Sequence, residues 1–256
     1  MNIYKTSYLL IAFLISSIYS FSQLDQDGKN VLYTKEALFG FNIHTNGMGF
    51  SLKKGNILDI YETRYWEIEM LDMKHPKEYK QKNEDIPGAK SFLFGKQNNL
   101  YIIRTGYIFS KLLFQKASLN GVQVNYVFGG GASLGILKPY YLNILYPTDI
   151  PQIYKINPER YDKDVPMEDN NFMNWYSIYG ASGFTYGIKD IMPVPGGYAR
   201  FGLNFEWGAY LDVVKSIEVG VALDAYPYKV PIMILEKNKF IFTTLYINLH
   251  FGWRKF

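Results

Sequence analysis

Apolar and polar residues alternate along much of this chain, and the clearest example is the segment 239–256. Because a β-strand sends successive side chains to opposite sides, this alternation predicts a strand with one apolar and one polar face. The apolar face carries Ile241, Leu245, Ile247, Leu249, Phe251 and Trp253, and the polar face carries Thr244, Tyr246, Asn248, His250, Gly252 and Arg254.

The same pattern predicts eight strands, with lengths that suit the roughly 9–11 residues of a tilted membrane-crossing strand. We therefore predict an all-β fold, a closed antiparallel transmembrane β-barrel whose narrow interior is filled by side chains. A soluble β-sandwich is the alternative, but sandwiches seldom place an aromatic residue at nearly every outward position. The predicted strands cover residues 36–53, 57–73, 99–109, 122–136, 176–189, 199–211, 217–224 and 239–256.

The N-terminal residues predict export. Residues 1–22 combine an apolar core from Leu9 to Ile18 with small residues in Ser20-Phe21-Ser22, which is typical of a cleaved signal peptide. The apolar run is short for a membrane helix of about 20 residues, so a retained anchor is the second interpretation. Residues 23–35 are polar and predict a periplasmic tail, and residues 36–256 form the predicted barrel.

Thr45-Asn46-Gly47 interrupts the first predicted strand. We interpret this interruption as a bulge in one long strand, and a tight hairpin at Asn46-Gly47 is the alternative. With the C-terminus in the periplasm, this strand count places both long loops, 74–98 and 138–174, in the periplasm as well. Outer-membrane barrels usually have short turns in the periplasm and long loops outside, so this arrangement would be the reverse. Either the count is wrong or the barrel presents its long loops inward, and we expect the second.

The composition agrees with a barrel and excludes several other classes. The chain has 23 Tyr, 18 Phe, 4 Trp and 22 Gly, and these residue types favour strands, interfacial girdles and tight turns. The net charge of +4 is small, and the Lys and Arg residues are scattered among acidic residues, so nucleic acid is not an expected partner. The absence of Cys from the sequence excludes disulfides, thiol catalysis and thiolate metal sites.

Charged residues recur on the polar faces of the predicted strands. Inside a narrow barrel an unpaired charge would cost several kcal/mol, so these residues must pair. We predict an ion-pair plug that fixes barrel closure, in preference to a proton or ion path. The plug residues are Arg104, Arg200, Glu206, Glu218 and Asp224, and Glu67 and Glu69 share the same faces.

The histidines do not predict catalysis. His44 and His250 lie on the polar faces of the first and last strands, which become neighbours when a barrel closes. We predict a hydrogen-bonded structural pair there rather than a metal or catalytic pair. No Ser with a neighbouring His and acid emerges. The sequence therefore predicts a protein that is not an enzyme, with no catalytic, cofactor-binding or metal-binding residues and no cofactor.

Two loop segments are the candidate partner-binding sites, since loops carry function more often than scaffold strands do. One is a compact charged segment just beyond a strand end, and the other is the Pro-containing segment 140–166, which is too apolar for a free linker. The predicted partner-binding residues are Lys74, His75, Pro76, Lys77, Glu78, Tyr140, Tyr141 and Tyr146.

The Phe21-Ser22-Gln23 junction, the alternating strands and the end Phe251-Gly252-Trp253-Arg254-Lys255-Phe256 resemble the small outer-membrane β-barrel proteins of bacteria with type IX secretion. Phe256 departs from the usual terminal signature because it is out of phase with Trp253, and a bulge or fraying near Lys255 would reconcile the two.

The resemblance implies a structural or accessory subunit of an envelope complex for outer-membrane protein assembly or secretion. Its expected location is the cell outer membrane. Its expected partners are outer-membrane lipid or lipopolysaccharide and other outer-membrane or periplasmic proteins. A narrow channel or small-ligand transport barrel is the alternative function.

Overall fold

The computed structural model describes residues 33–116, 121–149, 154–208 and 212–256. The predicted signal peptide and residues 23–32 of the predicted tail lie outside these ranges. Within them, no helix has both the length and the apolar character needed to span a membrane.

The described part of the chain forms thirteen strands and two short 3-10 turns. The strands are β1 (Lys35–His44), β2 (Gly47–Ile57), β3 (Glu62–Met73), β4 (Lys80–Gln81), β5 (Phe92–Leu93), β6 (Asn98–Phe114), β7 (Gln123–Pro139), β8 (Tyr141–Pro147), β9 (Tyr154–Arg160), β10 (Ile178–Ala181), β11 (Met192–Trp207), β12 (Val213–Val230) and β13 (Lys239–Lys255).

Eight of these strands close an antiparallel barrel in the order β1-β13-β12-β11-β7-β6-β3-β2. The first and last strands pair along their whole common length, from Lys35 with Lys255 to His44 with Tyr246. The predicted fold class is therefore confirmed. β13 ends at Lys255, and the ring of Phe256 lies 5.2 Å from the ring of Tyr33, centroid to centroid.

The strand count is right, but two of the predicted strands are wrong and the errors compensate. Residues 36–53 form parts of β1 and β2, which a tight hairpin joins so that His44 pairs with Gly47. Residues 176–189 do not enter the barrel. The side chains of Asn170 and Asn174 accept hydrogen bonds from Phe172 N and Tyr176 N and cap two short 3-10 turns. After these turns only residues 178–181 form a strand, β10, which pairs with β8 in a separate sheet.

Both corrections change the direction of the strands. Removing residues 176–189 from the barrel reverses every strand before them, so the predicted placement of the long loops beside the C-terminus is wrong. The connections 74–97, 140–191 and 231–238 share one end of the barrel, here named the loop end. Tyr33 and Phe256 mark the opposite, terminal end.

The barrel interior is layered. Near the terminal end lies a small apolar cluster of Leu38, Tyr65, Ile108, Val127 and Val214. Charged and polar side chains fill the middle. A larger apolar cluster closes the loop end and contains Leu71, Met73, Leu100, Ile102, Leu137, Val194, Tyr226, Val230, Ile232, Met233 and Phe242.

The connections 74–97, 140–191 and 231–238 fold into a separate layer, here named the cap. Within it β10, β8 and β9 form a three-stranded sheet, and β4 pairs with β5. The cap has its own apolar core, in which every member is at most 1% exposed: Phe92, Leu142, Ile144, Phe172 and Ile178. The long loops are thus folded structure with a core of their own.

Candidate functional site

Arg200 is the centre of one buried ion-pair network inside the barrel. Its Nη1 lies 2.7 Å from Glu67 Oε2, and its Nη2 donates to Glu218 Oε1. Lys53 Nζ lies 2.7 Å from the other oxygen of Glu218 and 3.5 Å from Glu67 Oε1. Tyr246 donates to Glu218 as well, at 2.7 Å. The network joins β2, β3, β11, β12 and β13 across the lumen.

Arg104 forms a second group just toward the loop end. Its guanidinium forks onto Asp224, with Nε to Oδ1 at 2.9 Å and Nη2 to Oδ2 at 2.5 Å. Its Nη1 donates to Glu69 Oε2 at 2.7 Å, and Asn42 donates to the other oxygen of Glu69 at 2.5 Å. This bidentate geometry is the strong form of an arginine–carboxylate pair.

Arg254 supplies a third group near the terminal end. It lies 2.7 Å from Glu36 and 2.7 Å from Glu206. Tyr65 donates to Glu36 at 2.8 Å, and Lys116 Nζ lies 3.7 Å from Glu206. Since Arg254, Glu36 and Glu206 come from β13, β1 and β11, these contacts span the seam at which the first and last strands meet.

All five predicted plug residues are buried in this interior, and each makes an ion pair. Three residues of these networks were not among the predicted plug residues: Lys53, Glu36 and Arg254. Each of them lies on the polar face of its strand, and that position could have identified it as an interior residue. Between Lys53, Glu218 and His250 lies a void of about 10 Å³, close to the smallest space that holds one water molecule.

The predicted hydrogen-bonded histidine pair is wrong. His250 lies opposite Gly40 and His44 opposite Tyr246, so the rings stand four positions apart along β1. His44 Nδ1 accepts from Asn46 N at 3.3 Å, and His250 Nδ1 lies 3.9 Å from Glu218 Oε2. No group of three or more His, Asp or Glu within the described ranges is placed to hold a metal ion.

In the cap, the charged segment Lys74–Glu78 contacts the far end of its own connection and the connection 231–238. Glu78 Oε1 lies 2.6 Å from Lys96 Nζ, and both side chains are almost fully buried. Burial lowers the pKa of Lys96, and the hydrogen bond to Glu78 offsets part of that change. Lys77 reaches Glu236 at 2.7 Å, and His75 Nδ1 accepts from Lys77 N. Lys74 and Pro76 are exposed, and Lys74 lies 3.7 Å from Asp72.

The three predicted tyrosines are anchors within the cap. Tyr140 accepts from Leu93 N at 3.1 Å, and its ring lies 5.9 Å from Lys96 Nζ. Tyr140 and Glu78 thus meet at the same lysine. Tyr141 donates to Asp190 at 2.9 Å. Tyr146 donates to Glu159 at 2.6 Å and accepts from Asn171 Nδ2 at 3.0 Å. Burial raises the pKa of Tyr140 and of Tyr146.

A cleft of about 860 Å³ lies in the cap beside the barrel rim. Its size is that of a ligand-binding pocket. The lining carries four carboxylates against two cations, Arg160 and Lys163, so the cleft has an acidic excess. The acidic and aromatic side chains along it include Tyr141, Tyr146, Glu159, Asp162, Asp164 and Asp169.

The chain matches no protein-family model and no curated protein sequence. Solved structures resemble it at low similarity. Neisserial surface protein A aligns at 10% identity with a TM-score of 0.33, covering 87% of this chain and 96% of that one. Ail, the attachment invasion locus protein of Yersinia pestis, aligns at 7% identity with a TM-score of 0.36, covering 87% and 99%. Ail in complex with the heparin analogue sucrose octasulfate aligns at 8% identity with the same TM-score and coverage.

Proposed function

We propose that this chain is an outer-membrane protein whose barrel anchors the folded cap at the cell surface, where the cap binds a partner protein of an envelope complex. The observation that carries the proposal is the apolar outer wall. Phe50, Tyr107, Phe201 and Phe251, on four different strands, are each more than half exposed. Soluble monomers rarely expose contiguous apolar patches beyond a few hundred Å², whereas a membrane-spanning barrel needs such a band on every strand.

The position of the connections supports the orientation. Bacterial barrels carry short turns in the periplasm and long loops outside. The short connection 58–61 lies at the terminal end, and the cap occupies the other end. In this orientation the cap faces the exterior, and Tyr33 and Phe256 face the periplasm.

The filled lumen supports an anchoring role for the barrel rather than the alternative of a narrow channel. Apolar clusters lie toward both ends of the interior, the ion pairs of Arg104 and Arg200 fill the space between them, and the ion pairs of Arg254 lie on the terminal side of the smaller cluster. An ion that entered would have to break these pairs and shed its own water in a low-dielectric interior.

We expect the purified protein to insert into planar lipid bilayers without producing conductance steps. The measurement is single-channel recording at up to 100 mV, with an open porin as the positive control and with insertion verified by protease protection. Regular steps from the inserted protein would favour the channel alternative.

The cleft of the cap is the proposed partner site because its exposed acids suit a cationic partner surface. Deletion of residues 140–166 is a poor test, since Leu142 and Ile144 belong to the cap core. Point changes at Asp164 and Asp169 are better, because both are exposed.

We expect Asp164→Lys combined with Asp169→Lys to lower partner recovery at least tenfold, because like charges facing each other across an interface cost several kcal/mol and each 1.4 kcal/mol is tenfold in affinity. Recovery is measured by quantitative mass spectrometry after pull-down from detergent-solubilised outer membranes. Asp212→Lys, an exposed acid at the terminal end, is the matched control and should leave recovery unchanged. Equal recovery with all three proteins would contradict the partner role of the cleft.

A further inference from the structure

Lys138 occupies an unusual place on the outside of the barrel. It follows Leu137, which points inward into the apolar cluster of the loop end, so alternation turns Lys138 outward. It also lies two residues beyond Ile136, an apolar residue on the same outer face of β7. Lys138 is therefore placed just past the apolar wall, where the surface of a membrane would lie.

The Lys138 side chain is covered although it points away from the barrel. Only 5% of the residue is exposed, and the ring of Phe184 lies over the ammonium group with 3.8 Å between Nζ and the ring centroid. Among the described residues, no carboxylate forms an ion pair with it. A buried cation whose partner is only an aromatic face retains unused hydrogen-bond donors.

Phe184 belongs to the segment Ser182–Ile191, here named the interfacial loop, which packs on the end of β7. Gly187 has φ +82°, and a Cβ there would lie 2.7 Å from Pro139 O, so only glycine suits this close approach. The ring of Tyr186 lies 6.0 Å from that of Tyr141. These contacts hold the loop against the outside of the barrel.

The exposed side chains of the interfacial loop are mainly apolar. Phe184 is 69% exposed, and Tyr186, Ile188 and Ile191 are each at least 40% exposed. The carboxylate of the loop, Asp190, already accepts from Tyr141 and lies 3.4 Å from Arg160. The loop thus presents an apolar surface in continuity with the apolar wall below, and Lys138 lies beneath its Phe184 without a carboxylate partner among the described residues.

We propose that the interfacial loop enters the headgroup region of the leaflet at the loop end, and that Lys138 binds the phosphate of a lipid there. The aromatic and aliphatic side chains of the loop contact the upper acyl chains, and the ammonium donors that Phe184 leaves open pair with the phosphate oxygens. This inference rests on the membrane placement in the proposed function and adds a lipid class and its binding residue.

The test is native mass spectrometry of the full-length mature protein released from detergent. The probes are a phosphatidic acid and a diacylglycerol with the same acyl chains, which differ in the phosphate alone. We expect wild type to retain phosphatidic acid preferentially. Lys138→Met should reduce this retention about tenfold, the scale of one charge-assisted hydrogen bond. Lys138→Arg should keep most of it. Lys54→Met removes an exposed lysine from the outer face of β2 and should change nothing.

Three results would overturn the inference: equal retention by wild type and Lys138→Met, equal loss in Lys138→Met and Lys138→Arg, or displacement of the lipid by inorganic phosphate. The first two would leave Lys138 with a structural role alone, and the third would assign the site to free phosphate. Failure of the protein to enter bilayers would instead refute the proposed function. Normal insertion without preference for phosphatidic acid would refute this inference alone.

Discussion

Replacing Arg200 by Met is expected to destabilise the barrel by about 3–5 kcal/mol, because the change leaves buried carboxylates without their cation. Arg200 is 4% exposed and contacts both Glu67 and Glu218. In the two central networks, Lys53, Arg104 and Arg200 already face four carboxylates. Losing one cation therefore leaves two cations for four acids in a low-dielectric space.

Urea unfolding in detergent micelles, followed by tryptophan fluorescence and by heat-modifiable gel migration, measures this loss. Arg64→Met is the matched control, since Arg64 pairs with Glu62 at a partly exposed position and should cost about 1 kcal/mol or less. The triple variant Arg200→Met, Glu67→Gln, Glu218→Gln should recover part of the stability, because it removes the unpaired charges. A loss below 1 kcal/mol for Arg200→Met would contradict the plug.

Replacing Leu142 by Asp is expected to unfold the cap and to leave the barrel intact. Leu142 is 0% exposed in the cap core, which shares no residue with the two buried clusters inside the barrel. Truncating such a leucine costs about 2–5 kcal/mol, and a buried carboxylate adds a desolvation penalty. We expect the summed free-energy cost of these two effects to exceed the folding stability of so small a core.

Limited proteolysis of the reconstituted protein reports on the cap, and heat-modifiable migration reports on the barrel. Leu142→Asp should make residues 140–191 protease-sensitive and should abolish partner recovery without changing the migration. Ile156→Asp, at a position that is 45% exposed on the adjacent strand β9, should resemble wild type. Loss of both signals in Leu142→Asp would show that cap and barrel fold as one unit.

The hairpin between β1 and β2 shows why alternation alone misread the start of the barrel. A one-residue bulge shifts the in–out phase of a strand by one, and a two-residue turn that pairs His44 with Gly47 produces the same shift. Both interpretations put Phe50 outside and Ser51 inside, as observed. The two differ only in whether the chain reverses, and that depends on pairing with β3 and β13.

The segment 176–189 shows the opposite error. Its Phe184, Tyr186 and Ile188 are apolar and alternate, as the residues of a barrel strand do. They are exposed on the outside of the protein, in a loop held by turns and by Gly187. Alternation shows only that one side of the chain is apolar, and an exposed loop with apolar side chains produces the same pattern as a barrel strand.

Residue order alone was enough to assign most inward and outward positions, because the two-residue period of a strand is local and each strand keeps it. On β11 it placed Phe201 and Leu203 outside and Arg200 inside, as observed. It also required the interior charges to pair, since isolated charges there are too costly. Residue order did not determine which of these charges form ion pairs with each other. Lys53 and Glu218 lie 165 positions apart, and Arg104 and Asp224 lie 120 apart. Such contacts depend on strand register and on closure of the barrel, which arise only when all eight strands pair.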